Sequence, residues 1–165
     1  MLGSMKRPFL ALPLALGLAA CASDPVDPAD LSQAGVFFPT KPDGDGSAAL
    51  ARAEGKLVVR EGCVLISGPG PGEYSLPIWW DDFTAERDDD GRLVVRDGEG
   101  LVVAIEGKPF AMGGGYVAEF QPEGLVEPRE TQVRRIEEGL GHAIPDRCLD
   151  ADVYGIWDVG QTRPL

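Results

Sequence analysis

The sequence predicts a mainly β fold, a small closed or partly open β-barrel of the OB-like kind with one short helix, preceded by a disordered tether. Three observations carry this. From Lys56 to Val159, short β-branched and aromatic runs recur between Gly, Asp and Pro punctuation, as the strands of small barrels do. Helical periodicity occurs once, where Val133, Ile136 and Leu140 share a face between Thr131 and Gly141. Ala22 to Gly55 scatters aspartates among Pro25, Pro28, Pro39, Pro42, Gly44 and Gly46, and its apolar surface is too small to offset the entropy of ordering.

In chain order, Val36-Phe37-Phe38 is the one apolar cluster of the tether, suited to docking on the domain or a partner, and Ala48 to Ala53 suits a short helical turn. The first strand, Lys56 to Arg60, passes through Glu61-Gly62 into Cys63 to Ile66. The glycines and prolines from Gly68 to Gly72 exclude helix and strand. Tyr74 to Trp80 follows, with Pro77 marking an edge or bulge because proline cannot donate to a ladder. Phe83 to Arg87, Arg92 to Asp97 and Leu101 to Ile105 are joined by Asp-Gly turns. Phe110 to Met112 and Tyr116 to Phe120 read as two strands flanking Gly113-Gly114-Gly115, and Val153 to Val159 is the last. Leu57-Val58-Val59-Arg60-Glu61-Gly62 recurs nearly unchanged from Leu93 to Gly98; two copies are too few for a repeat architecture.

Ahead of the tether, Lys6 and Arg7 precede an apolar run from Phe9 to Leu18 and the tetrad Leu18-Ala19-Ala20-Cys21. That is the order of a secretory signal, with Met5 the better start, and the run is too short for a stable membrane span. The tetrad resembles the lipobox of bacterial lipoproteins. The resemblance implies cleavage before Cys21 and a diacylglyceryl thioether on its sulfur, with further acylation of the palmitate kind. Ala22 and Ser23 lack the aspartate that retains such lipoproteins in an inner membrane, so the periplasmic face of the outer membrane is expected in a host with two. The organisation is then signal peptide 1–20, lipidated tether 21–55 with a coil span of about 30 Å, and β domain 56–165. With Cys21 lipidated, Cys63 and Cys148 are the remaining thiols in an oxidising setting, and one disulfide is expected between them.

The spacing of Gly62-Cys63-Val64-Leu65, Leu76-Pro77-Ile78-Trp79, Asp97-Gly98, Gly100 to Ala104, Gly107 and Gly113 to Gly115 resembles a small β domain of bacterial exported proteins and lipoproteins. Trp80-Asp81 departs from the Trp-Pro of that pattern, and the resemblance implies no activity. The chain carries a formal net charge of −12, which opposes binding to nucleic acid or to anionic headgroups through a surface patch.

Candidate chemistry is sparse. His142, the single histidine, follows the helix and has no nucleophile of matching local signature, so it reads as a helix C-terminal cap or a surface residue. Glu86, Asp88, Asp90, Gly91, Leu93 and Asp97 occupy positions 1, 3, 5, 6, 8 and 12 of an EF-hand-like calcium loop, and Asp43, Asp45, Ser47, Leu50 and Glu54 match a second in part. Neither has flanking helices, and solvated acidic turns are the plainer reading. Trp79 and Trp80 alternate across a strand, so one faces the core while the other, with Tyr74, is available to stack on a sugar ring. Gly113 to Gly115 suits an anion nest or, more plainly, a bulge. The sequence thus predicts a non-enzymatic lipoprotein without a cofactor, displaying an interaction or structural domain toward an envelope protein. The alternative is a glycan- or calcium-binding envelope domain using Trp79, Trp80 and the acidic turns.

Overall fold

The structure, a computed structural model, describes residues 34–41, 51–68, 74–120, 127–150 and 152–164. Cys21 with its signal, the acidic run Asp43 to Ser47 and most of the Gly68 to Gly72 loop lie outside them. In chain order the strands are β1 (Thr40–Lys41), β2 (Ala51–Arg60), β3 (Cys63–Ser67), β4 (Tyr74–Trp80), β5 (Thr84–Arg87), β6 (Leu93–Arg96), β7 (Val102–Ile105) and β8 (Pro109–Glu119). Helix α1 (Arg129–Leu140), a 3-10 turn (Asp146–Leu149) and β9 (Val153–Pro164) complete the chain.

Five strands close a barrel. β2, β3 and β4 form an antiparallel meander, β4 pairs parallel with β9, and β8 lies antiparallel between β9 and β2. Counting barrel strands along the chain, the ring runs first, second, third, fifth, fourth and back to the first, the order of the OB-like barrel that the sequence predicts. β5, β6 and β7 form a separate antiparallel sheet inserted between the third and fourth barrel strands.

Two buried clusters use opposite sides of the strands, as the two-residue period of a strand requires. Leu57, Val64, Ile66, Trp79, Phe110, Met112, Trp157 and Val159 draw on all five barrel strands and form its interior, continuous with Phe83, Leu93, Val95 and Val103 from the inserted sheet. Cys63, Leu65, Leu76, Ile78, Val153 and Ile156 point out of β3, β4 and β9 into the second cluster, where Phe37, Ile144, Cys148, Ile136 and Leu140 cover them.

The Leu57 and Leu93 copies of the recurrent run meet at one place. Leu93 accepts the N–H of Glu106 and Leu57 accepts that of Gly107, both at 2.8 Å, which fastens the inserted sheet to the barrel. The Glu106 carboxylate also accepts the Leu93 N–H at 2.9 Å.

Three expectations change. Residues Ala34 to Lys41 and Ala51 to Gly55, read as tether, are part of the folded domain, and Val36 and Phe37 are each 1% exposed. Ala51 to Ala53, read as the end of a helical turn, pair with β8, because Met112 and its neighbours supply a ladder that the isolated segment lacks. The strands flanking the glycine triplet are one strand, β8, whose register against β9 slips between Gly113 and Gly114. A bulge lets the chain continue where the sequence suggests a break.

Gly114 has φ 152, and a Cβ there would collide with the Asp158 carbonyl and Trp157 Nε1. Gly114→Ala is expected to lose about 3 kcal/mol, at the upper end of overpacking costs, measured by urea unfolding.

Candidate functional site

The features that bear on function converge on β4. Residues 75, 77 and 79 turn their N–H positions toward β3, since Trp79 donates on that side to Pro39 whereas Tyr74 donates on the β9 side to Asp152. Pro77 has no N–H to give. β3 accordingly pairs with β4 only at Ile66–Ser75 and Ser67–Tyr74, and farther along the two strands part.

The segment Ala34 to Lys41 fills the opening. Phe37 donates to the Gly62 carbonyl at 2.7 Å and accepts from Val64 at 3.2 Å, forming a parallel bridge with β3 at Cys63. Pro39 then accepts the Trp79 N–H at 3.0 Å, and β1 runs parallel to β4 at Trp79 and Trp80. Side chains reach both clusters: Val36 enters the barrel interior and Phe37 the outer cluster, while Phe38 stacks on Trp79 with centroids 5.2 Å apart. Lys41 pairs with Asp158 at 2.5 Å, and Arg87 Nε donates to the Ala34 carbonyl at 3.3 Å.

The aromatic residues expected to form a platform are not brought together. Trp79 is wholly buried among Phe38, Phe83 and Phe110. Trp80 is half-buried and lies over Gly160, where a Cβ would run into its ring. Tyr74 sits at the far end of β4, six residues or about 20 Å away, beneath the Arg60 guanidinium at 5.3 Å.

The wall beside the opening is sealed. OB-like barrels use the face of the second and third strands, with the loops joining strands one to two and four to five, to hold oligonucleotides and oligosaccharides. Here that face is β3 and β4, and the connection from β8 to β9 folds back over it. α1 ends at Gly141, in the left-handed region at φ 77, whose N–H returns to Glu137. Ile136 and Leu140 are thereby laid on the outer cluster. Cys63, directly after the β2–β3 turn, is joined to Cys148 of the 3-10 turn with Cα atoms 5.5 Å apart, so the expected disulfide ties the two loops together.

Polar contacts that the sequence did not announce reinforce the seal. Arg60 pairs with Asp150 at 3.0 Å and Asp152 at 2.8 Å, and Arg147 donates to the Glu61 carbonyl at 3.0 Å. Buried Gln132 accepts the Glu119 N–H at 3.3 Å and donates to the Glu127 carbonyl at 2.7 Å, extending the β8 edge with an amide side chain. Arg129 lies over Phe120 at 4.2 Å and donates to the Leu149 carbonyl. Ser75, 1% exposed, meets the Tyr116 hydroxyl at 3.1 Å. Burial raises the ionisation of that hydroxyl above the ordinary tyrosine range, against the lowering effect of Ser75. His142 sets its ring edge-on to Phe37 at 5.9 Å, which places it in the seal.

The acidic turns use their own carboxylates. Asp88 Oδ1 accepts the N–H groups of Asp90 and Arg92, and Asp97 Oδ1 those of Glu99 and Leu101, in two matching hairpin turns. Arg87 and Arg96 donate to the carbonyls of Gly91 and Gly100, repeating the pattern. Asp90 pairs with Arg92 at 2.9 Å and Glu86 with Arg96 at 2.6 Å. The calcium spacing thus places Glu86 in strand β5, Asp88 and Asp90 in one turn and Asp97 in another. Among the described residues no three acidic, histidine or cysteine side chains converge on a cation position.

No family model, curated protein or solved structure matches this chain.

Two outcomes follow from this geometry. Replacing both Cys63 and Cys148 by alanine reopens a loop of 85 residues, and unfolding in urea should show a loss of about 4.5 kcal/mol in the chain-entropy account. For Asp88, partial desolvation opposes ionisation, but the Arg92 guanidinium and the two turn N–H groups outweigh it and hold the carboxyl below the ordinary aspartate range. A depressed folded-state value stabilises the fold above the unfolded-state value, and that contribution is lost as pH falls through the folded one. Carbon-detected NMR titration should place its midpoint below that of an aspartate in an unstructured peptide, and Arg92→Ala should move it upward.

Proposed function

We propose that the chain is a non-enzymatic envelope lipoprotein, anchored through a lipid on Cys21, whose barrel acts as an interaction or structural module. The observation that carries this reading is the sealed outer wall of β3 and β4. A barrel that held a glycan or oligonucleotide on that face would need it open, whereas α1, Phe37 and a disulfide with both cysteines fully buried close it. What is left for recognition is the outer surface, rich in carboxylates and turns, which suits a protein partner. The disulfide also supports an exported, oxidising location. Among the described residues no helix is long and apolar enough to cross a membrane; the proposed attachment rests on the tetrad ending at Cys21. Ser75 is occupied by Tyr116, and His142 packs against Phe37, so neither is poised as a nucleophile or base.

Expression of the full chain in a bacterial host with labelled palmitate tests the anchor. The wild type should label and sediment with membranes, whereas Cys21→Ser should lose the label and appear in the soluble fraction. A Cys21→Ser protein that still sediments after carbonate washing would overturn the assignment.

A further inference from the structure

We propose that the opening between β3 and β4 is a strand-accepting groove, and that Ala34 to Lys41 is held in it by non-covalent contacts strong enough to survive loss of the covalent connection to β2. The proposal concerns the barrel alone and stands whether or not Cys21 is lipidated.

The groove has the features of a peptide site. Its floor is apolar and aromatic, and its rims are backbone. The Val64 N–H on one rim and the Trp79 N–H on the other belong to residues with no exposure, and both are satisfied by the segment. Without an occupant they would be buried donors with no partner, and Pro77 prevents the rims from closing on each other to pair them. Selection along the segment is correspondingly detailed. The Val36 position faces the barrel interior, the Phe37 position faces the disulfide side, and the Phe38 position offers a stack on Trp79. Pro39 needs only its carbonyl, which accepts from Trp79. Lys41 finds Asp158, whose other oxygen has no partner among the described contacts. The groove therefore fits an extended peptide of the pattern Val-Phe-Phe-Pro-Thr-Lys, recognised in the manner of strand addition, with main-chain bonds for affinity and alternating pockets for specificity.

The consequence is a division of the N-terminal region. A cut after the segment, between it and β2, leaves the barrel fastened to everything upstream; a cut before Ala34 frees the barrel intact.

The test uses the full mature chain with a site for a sequence-specific protease inserted between Gly44 and Asp45. The protein is folded with its disulfide formed, cut to completion as judged by denaturing gel, and passed through a sizing column. Under the proposal the N-terminal fragment co-elutes with the barrel, and the near-ultraviolet dichroism of the buried tryptophans is unchanged. A synthetic peptide spanning Ala34 to Lys41 should then displace it slowly, and a scrambled peptide should not. Phe37→Ala in the same chain should weaken retention on the order of 100-fold or more, as expected for deleting a buried phenyl group. Departure of the wild-type fragment upon cutting would overturn the proposal, whether the barrel it leaves is folded or not. Equal displacement by the scrambled peptide would overturn the specificity claimed for the groove.

Discussion

A single missing N–H shapes this barrel. Pro77 stands in the third barrel strand with its nitrogen toward the second, at the position where the ladder between them would have to continue. The ladder stops, the strands part, and the wall acquires an opening that is lined by buried backbone donors. Everything packed nearby answers that fact. Ala34 to Lys41 supplies the carbonyls, Phe38 completes the aromatic surroundings of Trp79, and Phe37 passes through to the outside of the wall. Prolines are confined to edges and bulges because of the same lost bond; here the edge is internal and is filled from the chain's own N-terminal side.

The outside of the wall depends on the same segment. Phe37 lies between the disulfide and His142, so the cluster under α1 includes a residue from before the first barrel strand. The disulfide fixes the two loops, yet it is not the sole fastening. Arg60 with Asp150 and Asp152, Arg147 with the β2–β3 turn, and Gln132 along the end of β8 hold the same elements by independent contacts. The individual ion pairs are partly solvated, so screening leaves each of them weak. Their value is geometric, because they fix the segment between α1 and β9 against β2 and its turn independently of the covalent bond. The wall that OB-like barrels offer to oligomeric ligands is in this way incorporated into the core.

Local signals in the sequence were sufficient for most strands, the turns and the single helix, because alternation and Asp-Gly or Glu-Gly punctuation are properties of neighbouring residues; β1, the first half of β2 and the continuity of β8 depend on ladders with distant strands. The cysteine pair was legible by counting. Val36-Phe37-Phe38 stood out as apolar in polar surroundings, but its partner could not be read, since a parallel bridge to Cys63 and a carbonyl offered to Trp79 are contacts between distant parts of the chain. The spacing that suggested calcium was real as spacing. In the first loop strand β6 separates Asp97 from Asp88 and each carboxylate caps its own turn; most of the second loop lies outside the described residues. Gln132 left no signal, since a polar residue on a short helix ordinarily faces water. Trp79 and Trp80 followed strand alternation, and only the positions of Gly160 and Phe38 decide that one is a core residue and the other a half-covered lid on the barrel wall.

Inclusion of the segment in the barrel also alters the geometry of anchoring. Between Cys21 and Val36 the sequence has fourteen residues, which at full extension reach about 50 Å, where a tether running to Gly55 would reach more than twice as far. If Cys21 carries lipid, the barrel is confined to a layer near the membrane no deeper than that. Its strong negative charge repels an anionic surface, but screening limits the repulsion to about 8 Å at physiological ionic strength. Under the anchoring proposed above, the short connection and the screened repulsion together would hold the barrel close to the surface without its lying on it.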